Sequence, residues 1–328
     1  MDEDGFREYL VKREIPEDKI VESIALIERF ESVLDSDDKL KGLESASLSE
    51  VTKFVSILIE EKTNTYDNLA ALARYGYCMN NMNLYLAVLE LFDGAEVPKV
   101  LHEKLGDAVG DNKRNEVFEG IDLPPLGTPS SEKPKFTKAI MDKMEAVVDP
   151  ETCQKVLSDV AHGLPEDYWK AEREKYLEAG NIDDYLAAKR KAAIENLEKH
   201  RDDGSLFYNQ EINDEVVEWV KSRPDVLTGE RQGNVIYHTK IPFLAKKYLE
   251  ETDDRMKRYY ACHCAWARET ILDGDIEVSP TFCYCSGGFS KKPWEAALDQ
   301  TLKVEMVKSA LKGDDECAFK IYLPEGVK

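Results

Sequence analysis

Histidine and cysteine are scarce in this chain, at five and seven residues, and there is no surplus of positive charge, no long apolar run, no internal repeat and no low-complexity tract. Each shortage excludes something. A formal net charge of -21 repels phosphate backbones and anionic membrane surfaces, which argues against nucleic acid as a partner. No apolar stretch approaches the roughly 18 residues that a membrane-spanning helix requires, so no membrane association is expected. The opening segment, MDEDGFREYLVKREIPED, has neither a basic nor an apolar leader region, and a cytoplasmic protein is expected. In that reducing compartment an odd number of cysteines speaks against a disulfide framework and for metal binding or thiol chemistry.

What is present suffices for two domains. At 328 residues with 42% hydrophobic content, the chain exceeds the usual single-domain size. Up to about residue 110, apolar residues recur at helical spacing, as in Ile20, Ile24, Ile27 and Phe30, then Val51, Phe54, Val55 and Leu58. Ser47-Leu48-Ser49-Glu50 and Thr63-Asn64-Thr65 read as helix starts. The aromatic stripe of Tyr75, Tyr77 and Tyr85 reads as packing. Residues 110–135 collect Gly, Pro, Ser and charge, the signature of a linker or long loop. A helical bundle over 1–115, a linker over 116–135 and a second domain over 136–328 follow.

In the second domain Asp149-Pro150-Glu151 predicts a helix start, with its end near Gly163. Charged helices are expected over 165–180 and 182–201. Strand character comes later: 234–238, around 259–266, around 281–285, and a hairpin of 302–309 with 316–323 across Gly313-Asp314-Asp315. The fold class is α+β, an all-helical N-terminal domain followed by a domain with a mainly antiparallel sheet.

Four of the seven cysteines form two Cys-x-Cys pairs, Cys262/Cys264 and Cys283/Cys285. On strands, residues two apart share a face, so each pair would present both thiols together, and neighbouring strands would bring four thiols to one patch. Three readings stay open. Cys262, Cys264, Cys283 and Cys285, with His263 and Cys317 as weaker additions, would serve as ligands for zinc, or alternatively for an iron-sulfur cluster. Cys283 or Cys285 would act as a reactive thiol, with His263, His238 or Cys153 in support. Or the thiols simply pack as small apolar groups. Tyr260 and Trp266 would wall an apolar ligand pocket, and His238 and Lys240 would bind a ligand or anion. Cys153 and His162 lie about 13.5 Å apart on one helix and on opposite faces, so they form no dyad with each other. Either could join the thiol patch separately, although His162 better suits a helix-capping role. Gly287-Gly288 would let backbone amides approach a ligand oxygen.

From about residue 230 the chain resembles an uncharacterised family of bacterial and archaeal cytosolic proteins, through Tyr237-His238-Thr239-Lys240-Ile241-Pro242, Cys262-His263-Cys264, Cys283-Tyr284-Cys285-Ser286 and Gly313-Asp314-Asp315-Glu316-Cys317-Ala318-Phe319. The last segment also resembles the 4-vinyl reductase type of small-molecule-binding domain. That resemblance implies a structural zinc held by cysteines and an apolar ligand cavity. Cys317 matches the cysteine after the glycine turn, Cys283 or Cys285 falls near another, and Ser309 stands where a third would be. The first domain resembles the helical core-binding domain of tyrosine recombinases, but the acidic balance opposes DNA binding and no recombinase catalytic residues follow. The expected function is binding of a metal ion, a small apolar ligand or both. A zinc- or thiol-dependent hydrolase or redox enzyme, or a structural interaction protein, is the alternative. Apolar helix stripes serve cores and interfaces alike, which leaves a homo-oligomer open.

Overall fold

Short polar side chains set the helix starts of the N-terminal region. In the computed structural model, which describes residues 1–37, 43 and 46–327, α1 (Glu3–Lys12) and α2 (Glu17–Asp37) are followed by α3 (Leu48–Glu60), α4 (Tyr66–Cys78) and α5 (Met82–Phe92). The Ser47 amide donates to the Glu50 carboxylate at 3.0 Å. The Thr65 and Asn81 side chains accept the amides of Asn68 and Leu84. These contacts satisfy backbone donors that a first helical turn leaves free. Phe6, Ile27, Phe30, Phe54, Leu58, Leu69 and Leu72 form a fully buried core, with the rings of Phe30 and Phe54 4.8 Å apart. Tyr75 joins this core, whereas Tyr77 is 48% exposed, so the aromatic stripe is only partly packing.

Contacts divide the chain into two units, Met1–Ala95 with Leu123–Lys133, and Glu96–Asp122 with Pro134–Lys328. The segment expected as a linker over 116–135 is therefore shared: α7 (Asp111–Phe118) ends within it, while Leu126 packs on the first core and its carbonyl accepts the Asn64 side-chain amide at 2.9 Å. In the second unit α6 (Val97–Val109) buries Leu101 and Leu105 in the same cluster as Ile140 and Met144 of α8 (Pro134–Val147) and Val156 of α9 (Pro150–Val160).

As the sequence predicts, α9 opens with Asp149 accepting the Thr152 amide at 3.0 Å and Pro150 in the first turn. It stops at Ala161, which is left-handed. There follow α10 (Ala171–Ala179), α11 (Ile182–Asp203) and α12 (Asp214–Ser222), then β1 (Glu230–Gln232), β2 (Val235–Thr239), α13 (Ala245–Glu250), α14 (Asp254–Ala261), α15 (Tyr284–Leu298), β3 (Lys303–Lys308) and β4 (Ala318–Tyr322). The strands form an antiparallel sheet in the order β1-β2-β4-β3. The expected hairpin is present, with Val304 opposite Ile321 and a register shift between Met306 and Lys308. The α+β class holds.

Two expected strands are absent, because 259–261 closes α14 and 280–283 is a 3-10 helix running into α15. Local capping explains both. Asp253 accepts the Met256 amide at 2.8 Å and starts a helix that carries through Ala261. Ser279, followed by Pro280, caps the second segment.

Candidate functional site

Although neither Cys-x-Cys pair lies on a strand, the fold still gathers the thiols. Cys262 caps the end of α14, Cys264 follows in a turn whose carbonyl accepts the Arg268 amide at 2.7 Å, and Cys283 and Cys285 occupy the start of α15. Cys317 precedes β4, and its carbonyl accepts the Lys240 amide at 2.9 Å. That bond extends the β2–β4 pairing by one step, which sets Lys240 beside Cys317 at the end of the sheet. The thiols lie near enough to oppose one another's ionisation: Cys283 feels Cys317, Cys262 and Cys285, and Cys264 feels Cys262, Cys285 and Cys283.

Burial pushes all five thiols up, Cys262 to about 12 and Cys285 to about 11. Against that, each sulfur accepts a hydrogen bond. The His162 amide donates to Cys285 Sγ at 3.2 Å and the Ser309 hydroxyl to Cys283 Sγ at 3.1 Å. Backbone amides of Cys264, Trp266 and Ala310 serve Cys262, Cys264 and Cys317. Ser309, in the place the resemblance reserves for another cysteine, is thus a partner to sulfur.

Lys240 is the cation of this cluster. Its ammonium is buried, 3.3 Å from Ser286 Oγ and 5.0 Å above the Phe289 ring. Among the described residues no carboxylate pairs with it. Burial lowers its pKa, while Cys317, Cys262, Cys285 and Cys264 act the other way. His162 Nε2 meets the same Ser286 Oγ at 3.1 Å, and its ring meets Phe289 edge-on at 5.1 Å. Its imidazole therefore goes to Ser286 instead of capping the carbonyl end of α9. Trp169 closes against Phe289 at 5.8 Å. Burial, then Lys240, pushes His238 down to about 3, and its Nδ1 is buried without a hydrogen-bond partner.

The other expected site residues lie elsewhere or serve structure. His263 Nε2 is 2.6 Å from the Ile241 carbonyl, and burial holds the ring neutral. Trp266 is buried in the main core, and its carbonyl accepts the Thr137 hydroxyl at 2.8 Å. Tyr260 is half-buried in α14 beside Tyr259 and Lys247. Cys153 does not reach the thiol cluster: its thiol donates to the Val148 carbonyl at 3.6 Å, and burial raises it to about 11. The Gly287-Gly288 pair serves packing, because a Cβ on Gly288 would stand 1.9 Å from the Ser158 carbonyl oxygen of α9, and one on Gly287 would press on Phe319.

For a metal, the donors are right in kind but not in arrangement. Among the described residues no three Cys, His, Asp or Glu side chains are disposed around one ion. Ser286, Phe289 and Trp169 were not legible as site residues, and Ser309 was marked only by the resemblance, as the place of a third cysteine. Ser279-Pro280 repeats the helix-start pattern of Asp149-Pro150 and marks where the helical run that carries Cys283 and Cys285 begins.

Residues 246–328 match a family model described as a family of unknown function (DUF6144). That stretch contains all five clustered cysteines. No curated protein and no solved structure matches the chain at a significant level. No described helix is long and apolar enough to cross a membrane.

Proposed function

We propose that the second unit is a small-molecule-binding protein whose ligand site is the thiol cluster around Lys240. The observation that carries this reading is the buried ammonium with a hydroxyl and an aromatic face for company but no carboxylate. A buried charge without a counter-charge costs several kcal/mol, and interiors keep such groups where a ligand or reaction uses them. The likeness of the Cys317 turn to the 4-vinyl reductase type of domain points the same way. Burial of Cys262, Cys283, Cys285 and Cys317, and the upward shift of all five thiols, weigh against a thiolate nucleophile. The test is protection: small molecules that raise the melting temperature should also slow alkylation of Cys264, the half-buried thiol of the cluster, in the native protein. A ligand library that changes neither would refute the reading.

A second reading, a zinc or iron-sulfur centre, is favoured by the hydrogen bond that each sulfur accepts, since such donors orient and stabilise metal thiolates. Cys262, Cys264, Cys283, Cys285 and Cys317 would hold the metal after local rearrangement. Elemental analysis of anaerobically purified protein decides it. Stoichiometric metal, lost on changing Cys262 and Cys283 to serine, supports a metal centre, and its absence removes it.

A further inference from the structure

We propose that Lys240 is the receptor for one carboxylate, so that the ligand of this site is a small organic monoanion with an apolar body; this inference rests on the site assignment above. Four observations lead to it. The ammonium is buried at the end of the sheet, held by its own backbone bond to Cys317, and makes one long hydrogen bond to Ser286 Oγ. The Ser286 hydroxyl beside it, in the first turn of α15, also meets His162 Nε2, so a second polar group stands at the same point. His238, two residues before Lys240 in the chain, keeps a buried Nδ1 without a partner; with the other ring nitrogen given to the Leu227 carbonyl, the neutral ring leaves Nδ1 an acceptor, which a water held by the carboxylate would satisfy. The surroundings are otherwise apolar and aromatic: Phe289 under the ammonium, with His162 and Trp169 against that ring.

The charge count selects the class of anion. Arg268, the other cation that acts on these thiols, is stacked on Phe243 and Tyr259 and stands 3.5 Å from the Glu269 carboxylate. Lys189, which acts on His238, is paired with Glu172 at 2.5 Å. Lys240 therefore offers one positive charge without a carboxylate. A carboxylate balances it, whereas a phosphate dianion would carry a second buried negative charge without compensation.

The test uses the full chain with an isosteric pair of probes, benzoate and benzamide, titrated by calorimetry at about pH 7.5. Wild type should bind benzoate at least about tenfold more tightly than benzamide, and Lys240→Met should erase that preference while retaining the far-ultraviolet circular dichroism of the wild type. Because removing an uncompensated buried charge relieves strain, Lys240→Met should also melt at a higher temperature than ligand-free wild type. Equal affinity for the two probes would overturn the carboxylate assignment and leave the site assignment standing. Binding of neither probe would count against both. If wild type shows thiolate absorbance near 240 nm that Lys240→Met loses, the partner of Lys240 is one of its own cysteines and the carboxylate assignment falls. Should Lys240→Met not fold, Lys240→Gln is the replacement, with the same loss of preference expected.

Discussion

Burial holds the imidazoles of His162 and His238 neutral, and Lys240 adds to the effect in both. Their folded-state pKa values lie below the ordinary 6.5, so on acidification the unfolded chain takes up protons that the folded chain refuses. The stability tied to each neutral ring is complete above about pH 6.5 and drains as pH falls below it, for His238 down to about 3, at up to about 1.4 kcal/mol per pH unit and ring. Urea denaturation at about pH 7.5 and about pH 5.5 should show this loss, and His238→Gln should flatten it. An unchanged slope in that variant would refute the assignment. The thiols give a second prediction at this scale. Cys78 and Cys264 are half-buried and the other five cysteines buried. Iodoacetamide should modify these two first in native protein and all seven only after denaturation, as peptide mass mapping would report. Early labelling of Cys283 or Cys317 would contradict the buried cluster.

Two elements position the site, and each depends on a contact that can be tested. The first turn of α15 carries Cys285 and Ser286, and the helix lies so close to α9 that the Ser158 carbonyl leaves no room for a methyl group on Gly288. Gly288→Ala should force the two backbones apart and cost about 3 kcal/mol or more, at the upper end of overpacking effects. Guanidinium denaturation would measure it, and a cost below about 0.5 kcal/mol would show that the helices separate freely. The start of α9 is a simpler case. Asp149→Ala removes the acceptor for the Thr152 amide and should cost about 1 kcal/mol without changing thiol reactivity. This start was readable because cap, proline and first-turn acid are adjacent in the chain. The Cys-x-Cys pairs were misread because two-residue spacing says which face is shared only once a strand is assumed. Asp253 and the Ser279-Pro280 pair had already committed both segments to helix.

At the scale of the whole molecule, the net charge of -21 makes self-repulsion a destabilising term that salt screens. The melting temperature should rise between about 0.02 M and about 0.3 M sodium chloride, and a fall would show that specific ion pairs outweigh the net charge. The amino-acid sequence by itself determined the helical first region, the helix at Asp149, the terminal hairpin and the α+β class, because caps, periodicity and turn residues act over a few positions. Tertiary structure alone decided which groups meet. The bond from the His162 amide to Cys285 spans 123 residues, and that from Lys240 to Ser286 spans 46. It also decided that α6 and Leu126 divide between two cores, since an apolar residue finds its partner by shape and burial, which short-range pattern does not carry.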